Sequence, residues 1–193
     1  WHRYKALTEE LKSRRASEEE ARRLADIDHL TGCYNRRSFT AALGDLLTHL
    51  ERREQALAAI AVDLDNFKHI NDTLGHDAGD TLLIEASKRV SSCLRGTSTV
   101  ARLGGDEFGI WRPDTDQRAL LACVNELRAA LARPMTLERS GAADIVLPRI
   151  DAAFGRATAP RDGNDVDMLL KKADARMYAD KSRHRGACLR LSG

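Results

Sequence analysis

The run Ala56 to Asp65, "ALAAIAVDLD", limits the fold more than any other stretch of the chain. It is apolar without alternation until its end, which is the pattern of a strand covered on both faces. Such a strand needs packed layers on either side, so the chain must fold as a sandwich of helices on a sheet. The run closes on Asp63 and Asp65, two residues apart and therefore on one side of the strand.

A second segment, "RLGGDEFGIW" at 102 to 111, sets Gly104 and Gly105 at a tight turn and follows them directly with Asp106 and Glu107. Glycine reaches positive φ without steric cost, so "STVARL" and "EFGIWR" read as the arms of a β-hairpin. On its own, the segment reads more readily as a structural hairpin with an acidic turn. If its strands neighbour the buried one, three or four carboxylates meet at one sheet edge. Charges of one sign that close raise one another's pKa and call for a cation. Oxygen-only ligands select a hard ion, Mg²⁺ in preference to zinc, with Mn²⁺ the alternative. Mg²⁺ shares its remaining positions with water and phosphate oxygens, which points to a nucleoside triphosphate.

The remaining elements fit one mostly antiparallel α/β sandwich. Helices are expected at about 36–53, 79–95 and 116–132 and over "DVDMLLKKADARMYADKSR", with a loop between Asn66 and Ala78. Strand material is expected within "ADIVLPRIDAAFGRAT" and a short closing strand at "ACLRL". Residues 1–27 are dense in Glu, Arg, Lys, Ala and Leu without Gly or Pro, and read as an exposed helix. Its heptad seam, Tyr4, Leu7 and Leu11, is interrupted by Arg14 and Glu18, so a solvated helix and a two-stranded coiled-coil stalk stay open. The expected division is a stalk at 1–27 and a catalytic domain at 28–193.

The 193 residues suit one such domain plus an appended element. The 31 basic and 29 acidic residues nearly cancel, which argues against nucleic acid or an anionic membrane as the main partner. Cys33, Cys93, Cys123 and Cys188 lack zinc-type spacing and read as reduced thiols of a cytoplasmic protein. His69 and His76 lack zinc-type neighbours and read as structural loop residues. No apolar run reaches the roughly 20 residues that span a bilayer. The chain starts at Trp1 and not Met, the expectation being an excised fragment whose parent has an upstream sensor or membrane portion.

Four ordered motifs, "DHLTGCYNRR", "VDLDNFKHINDTLGHDAGD", "ARLGGDEF" and "LLKKADARMYADK", together strongly resemble the GGDEF family of diguanylate cyclases over about residues 26 to 191. The resemblance implies a fold similar to the nucleotide-cyclase and polymerase palm, with a ferredoxin-type core behind an N-terminal signalling helix. It implies condensation of two GTP into cyclic di-GMP and two pyrophosphates across a homodimer.

Carried onto this sequence, Asp63, the backbone carbonyl of Leu64 and Asp106 match the metal ligands. Glu107 is similar to the acid near the attacking 3′-hydroxyl, and Asp65 either supports the metal site or caps the strand end. Asn71 and Asp80 match the guanine readers; a carboxylate accepts from guanine N1–H and its exocyclic amine, whereas adenine offers no N1 donor. Lys68, Lys181 and Arg185 match triphosphate-holding positions, with the backbone amides of Asn66 and Phe67 assisting. Gly104 and Gly105 would let the substrate approach the backbone closely.

Two positions depart from the family. Its product-inhibition motif, Arg-x-x-Asp, corresponds here to Arg95-Gly96-Thr97-Ser98, which keeps Arg95 but replaces the acid, so weak or absent product inhibition is expected. In "AAFGRA", Arg156 stands where a small apolar residue is usual, an edge-strand feature without a functional reading. The rival from another class is a catalytically silent domain that receives GTP or cyclic di-GMP.

Overall fold

The computed structural model describes residues 25–51, 56–94, 98–113, 116–137, 143–147 and 149–190, with isolated positions before residue 25. Most of the expected helix at 1–27, and Arg95 with its two following residues, lie outside the described residues. In chain order the elements are β1 (Tyr34–Asn35), α1 (Arg36–Glu51), β2 (Leu57–Leu64), α2 (Phe67–Leu74), α3 (His76–Cys93), β3 (Thr99–Gly104) and β4 (Glu107–Pro113). There follow α4 (Gln117–Leu131), β5 (Met135–Leu137), β6 (Ile145–Leu147), β7 (Ala152–Ala159) and α5 (Val166–Arg190).

Five strands form the main sheet in the order β1-β3-β4-β2-β7. Only the β1–β3 pair is parallel. β2 lies between β4 and β7 and all eight of its residues are buried, as its unbroken apolar run requires. Ala58, Ile60, Val62 and Leu64 enter one core with Leu82 and Leu83 of α3 and Leu120 and Leu127 of α4. Leu57, Ala59 and Ala61 enter the other with Phe39 and Leu43 of α1 and Leu169 and Ala173 of α5. Each fully buried Leu or Phe contributes roughly 1.5–3 kcal/mol.

The second core is built from small residues on the sheet side, which lets α5 lie close. A Cβ placed on Gly155 would fall 1.8 Å from the Ala173 carbonyl oxygen and 2.4 Å from the Met177 nitrogen. The backbone of α5 therefore rests directly on β7.

The structure corrects four sequence readings. The expected loop from Asn66 to Ala78 is helical: α2 fills it and α3 begins at His76, with Gly75 at φ 92° turning the chain between them. Phe67, Ile70 and Leu74, spaced three and four apart, form the apolar stripe that docks α2 on the core. His69 and His76 thus sit on helices and not in a loop. Of the expected closing strand at "ACLRL", Ala187 to Arg190 are instead the end of α5, and Leu191 lies outside the described residues. A further strand would need a free sheet edge, and the outer edge of β7 is occupied by side chains of α4, α5 and Asp162. The strand material after Ala142 divides: β6 pairs with the unanticipated β5 in a separate two-stranded sheet, and only β7 joins the main sheet. β1, at two residues, is likewise too short to leave a periodic signal. As expected, Arg156 lies on an edge strand. Among the described residues Cys33, Cys93 and Cys123 are free thiols.

Candidate active site

Strand register brings the acids together. In the β2–β4 ladder Asp63 stands opposite Glu107, so the end of the buried strand and the mouth of the hairpin are adjacent. The Leu64 N–H donates to the Asp106 carbonyl oxygen at 3.2 Å, locking the turn to the strand end. The turn itself needs its glycines: Gly104 has φ 149° and Gly105 φ 50°, and the ladder slips between Arg102 and Gly104. Asp65 continues past the strand, its N–H bonded to the Asp151 carbonyl at 2.8 Å.

Three cations answer these carboxylates. Lys181 of α5 places Nζ 2.5 Å from Asp63 Oδ1. Arg36, the first residue of α1, pairs with Glu107 at 3.4 Å and donates through Nε to the Leu103 carbonyl at 2.7 Å. Arg102 donates to the Gly105 carbonyl at 3.0 Å and reaches both Asp28 oxygens at 3.3 Å. That last pair ties the signature turn to the loop where the chain enters the domain.

Burial raises the Asp106 carboxyl above its ordinary range; Asp63's charge adds to this, while a backbone hydrogen bond, Lys181 and Arg102 oppose it. Burial likewise raises Glu107, opposed by Arg36 and reinforced by Asp174, Asp63 and Asp106. At Asp28 burial works upward too, but the Thr31 hydroxyl and N–H together with Arg102 hold the carboxyl below its usual value. Two acids with raised pKa beside a buried acid paired to lysine form an electrostatically loaded cluster, the kind found where chemistry is done.

Two cavities flank the cluster and share Lys181. One, of about 340 Å³, is lined by Asp63, Glu107, Asp174, Tyr178, Lys181 and Ser182 with Met177. The other, of about 350 Å³, holds Asp106 beside Leu64, Asn66, Phe67, Lys68 and Asp72, and His69 also lines it. Asn66 takes a left-handed conformation, φ 62°, where β2 turns into α2. Asp63, Glu107 and Lys181 therefore line the first cavity, and Leu64, Phe67, Lys68, Asp106 and Lys181 the second. Gly104 and Gly105 shape the turn and line neither cavity.

Asn71 and Asp80 also line neither cavity. They come from adjoining helices: the Asn71 side-chain oxygen is buried without a hydrogen-bond partner among the described residues, and a Cβ on Gly79 would fall 1.8 Å from it. Asp80, the next residue, is exposed. Arg185 lies on α5 with its side chain outside the described residues.

The sequence reading assigned no role to Arg36, Arg102 or Asp174. Asp174 had a legible signal, since it lies seven residues before Lys181 and Tyr178 falls between them at helical spacing, which puts all three on one face. Arg36 had none, because only the fold brings α1 to the turn.

Residues 25–187 match the family model described as diguanylate cyclase, GGDEF domain. The chain belongs to the GGDEF family. As a GGDEF domain it is 34% identical over 189 residues to the diguanylate cyclase TpbB of Pseudomonas aeruginosa, covering 95% of this chain and 42% of TpbB. It is also 33% identical over 180 residues to the cyclic di-GMP phosphodiesterase PdeR of Escherichia coli, covering 93% of this chain and 25% of PdeR. Its fold matches the coiled coil and GGDEF domain of DgcB from Caulobacter crescentus, in complex with c-di-GMP, with a TM-score of 0.83 and 27% identity over 93% of each chain. The chain thus spans from about a fifth to two fifths of the curated relatives it matches. Among the described residues no helix is long and apolar enough to cross a membrane.

Proposed function

We propose that this GGDEF domain is a diguanylate cyclase that condenses two GTP into cyclic di-GMP and two pyrophosphates. The observation that carries the reading is the meeting of Asp63, Asp106 and Glu107 at one strand end, with Lys181 opposite them and a cavity on either side. A domain kept only as a scaffold has no need to hold three acids against burial and mutual repulsion.

The donor set fits a hard divalent cation. Asp63 and Asp106 offer carboxylate oxygens beside the main chain at Leu64, and the ammonium of Lys181 already serves as cationic partner to Asp63. Among the described residues no cluster of three or more His, Cys, Asp or Glu is placed to hold a metal. Two carboxylates suit Mg²⁺ or Mn²⁺ that completes its shell with water and phosphate oxygens. Asp63, Leu64 and Asp106 would hold the ion, and when bound it would supply charge neutralisation at the phosphates.

The chain's own residues do the rest. Lys181, Lys68 and Arg185 bind and orient the triphosphate, with the Asn66 and Phe67 amides. Asn71 and Asp80 select guanine. The Glu107 carboxylate takes the proton of the 3′-hydroxyl, whose oxygen bonds the α-phosphorus of the partner GTP while the α–β bridging oxygen leaves with pyrophosphate. Arg36 positions Glu107 for this step. Each protomer contributes one GTP, so two domains must face each other.

Incubating the chain with GTP and Mg²⁺ and separating products by liquid chromatography tests the reading. Cyclic di-GMP should form, and Asp106→Ala or Glu107→Ala should lower the rate at least about 100-fold. GTP binding without product at high protein concentration would favour the receptor alternative.

A further inference from the structure

On the far side of α5 lies a cavity of about 630 Å³ that the reaction does not use. Five arginines line it: Arg128 from α4, Arg156 from β7, Arg161 from the turn after β7, and Arg176 and Arg183 from α5. Two are committed. Arg128 donates to Asp180 at 2.8 Å and to the Ala152 carbonyl at 3.1 Å, and lies 4.7 Å over the Phe154 ring. Arg176 grips both Asp162 oxygens at 2.8 Å and donates to the Arg156 carbonyl at 2.7 Å.

The remaining charge is unbalanced. Asp162 and Asp180 are taken by those pairs, and Asp116 caps α4 by accepting from the Ala119 N–H at 2.7 Å. Arg161 has a side-chain amide for partner, Gln117 Oε1 at 3.3 Å. The side chains of Arg156 and Arg183 have neither a hydrogen bond nor an ion pair among the described residues. Five arginines against three aspartates leave an excess of two positive charges in this lining.

An arginine on β7 at position 156 is itself out of pattern. Ala152 and Phe154, the preceding residues on its side of the strand, both enter the first core. Arg156 lines a pocket with Arg183, which comes from a separate element and whose side chain likewise has no ion-pair partner among the described residues. We propose that this cavity is a second binding site, for a phosphate-bearing ligand whose anionic group lies between Arg156 and Arg183. Arginine forks match phosphate oxygens in geometry as well as charge.

The site is separate from the carboxylate cluster but shares a helix with it. Asp174, Tyr178 and Lys181 face the cluster, while Arg176, Asp180 and Arg183 repeat the same spacing two residues on and face this cavity. Two residues are about 200° of helix, so the faces are opposed. A ligand here bears on the element that carries Lys181.

The test is calorimetric titration of the full 193-residue chain without divalent cations, using inorganic pyrophosphate and, separately, adenosine 5′-monophosphate. Arg156→Gln/Arg183→Gln should weaken binding at least about 10-fold while Lys181→Gln leaves it within about 2-fold. Tighter binding of the nucleotide shows that the nucleoside adds contacts; equal or tighter binding of pyrophosphate assigns the site to phosphate alone, and both sustain the proposal. Should the double variant lose its native circular dichroism, Arg183→Gln, at an exposed position, replaces it with the same expectation. No binding by the parent chain overturns the site, and so does binding lost in Lys181→Gln yet kept in the arginine variants.

Discussion

Gly155 shows how one residue without a side chain fixes the position of a charged group far along the chain. With the Ala173 carbonyl 1.8 Å from its would-be Cβ, any larger residue must push α5 off the sheet. Lys181 lies two turns beyond Ala173, and its 2.5 Å contact with Asp63 depends on that close seating. Gly155→Ala is expected to destabilise the domain by about 3 kcal/mol, read from the urea midpoint, and to lower cyclase activity in the fraction that stays folded. A variant with the parent's midpoint would show that α5 tolerates a wider gap.

At the scale of elements, β7 and α5 explain each other. β7 is an edge strand, and its outward backbone groups are met by side chains. Arg128 donates to the Ala152 carbonyl, Asp180 accepts from the Phe154 N–H at 3.0 Å, Arg176 donates to the Arg156 carbonyl, and Asp162 accepts from the Thr158 N–H at 2.9 Å. An edge occupied in this way offers little to a further strand, whether from "ACLRL" or from another molecule. The Asp162 carboxyl is pulled down to about 2 by its hydrogen bonds with Arg176, which outweigh the opposing effect of burial, with the Thr158 N–H, the Arg176 charge and the Thr158 hydroxyl adding to the lowering. Its folded pKa lies below the ordinary 3.8, so it adds stability above that value and loses it as pH falls toward about 2. Asp162→Asn should therefore cost about 1–2 kcal/mol at pH 6, and the difference in urea midpoint should shrink steadily between pH 4 and about 2. A gap that does not change with pH would assign the loss to packing.

For the whole molecule the proposed chemistry needs two copies. Two half-sites facing each other make turnover per protomer rise with protein concentration and fall on dilution, approaching second order where dimers are scarce. Rates measured over a hundredfold dilution series, beside molecular mass by light scattering, check this. A rate per protomer that is flat while the mass reads as monomer would refute the need for a partner.

Much of this protein could be read from residue order alone. The unbroken apolar run of β2 already required layers on both faces, because a strand without alternation has no side to give to water. Gly104, Gly105, Asp106 and Glu107 announced an acidic turn, since glycine pairs and adjacent acids are local signals. The helix α2 was missed for a local reason as well: Asn71, Asp72 and Gly75 look like loop residues, while its stripe of Phe67, Ile70 and Leu74 is only three residues long. The two residues of β1 and three of β5 were too few for any period to appear. Only the folded chain decided that Arg36 reaches Glu107 and that Arg102 joins the turn to Asp28, partners 71 and 74 residues away. Only it decided, too, that Arg156 faces a cavity with Arg183. Charge pairing across such distances leaves no trace in spacing, because the sheet register and the seating of helices on it choose which side chains meet.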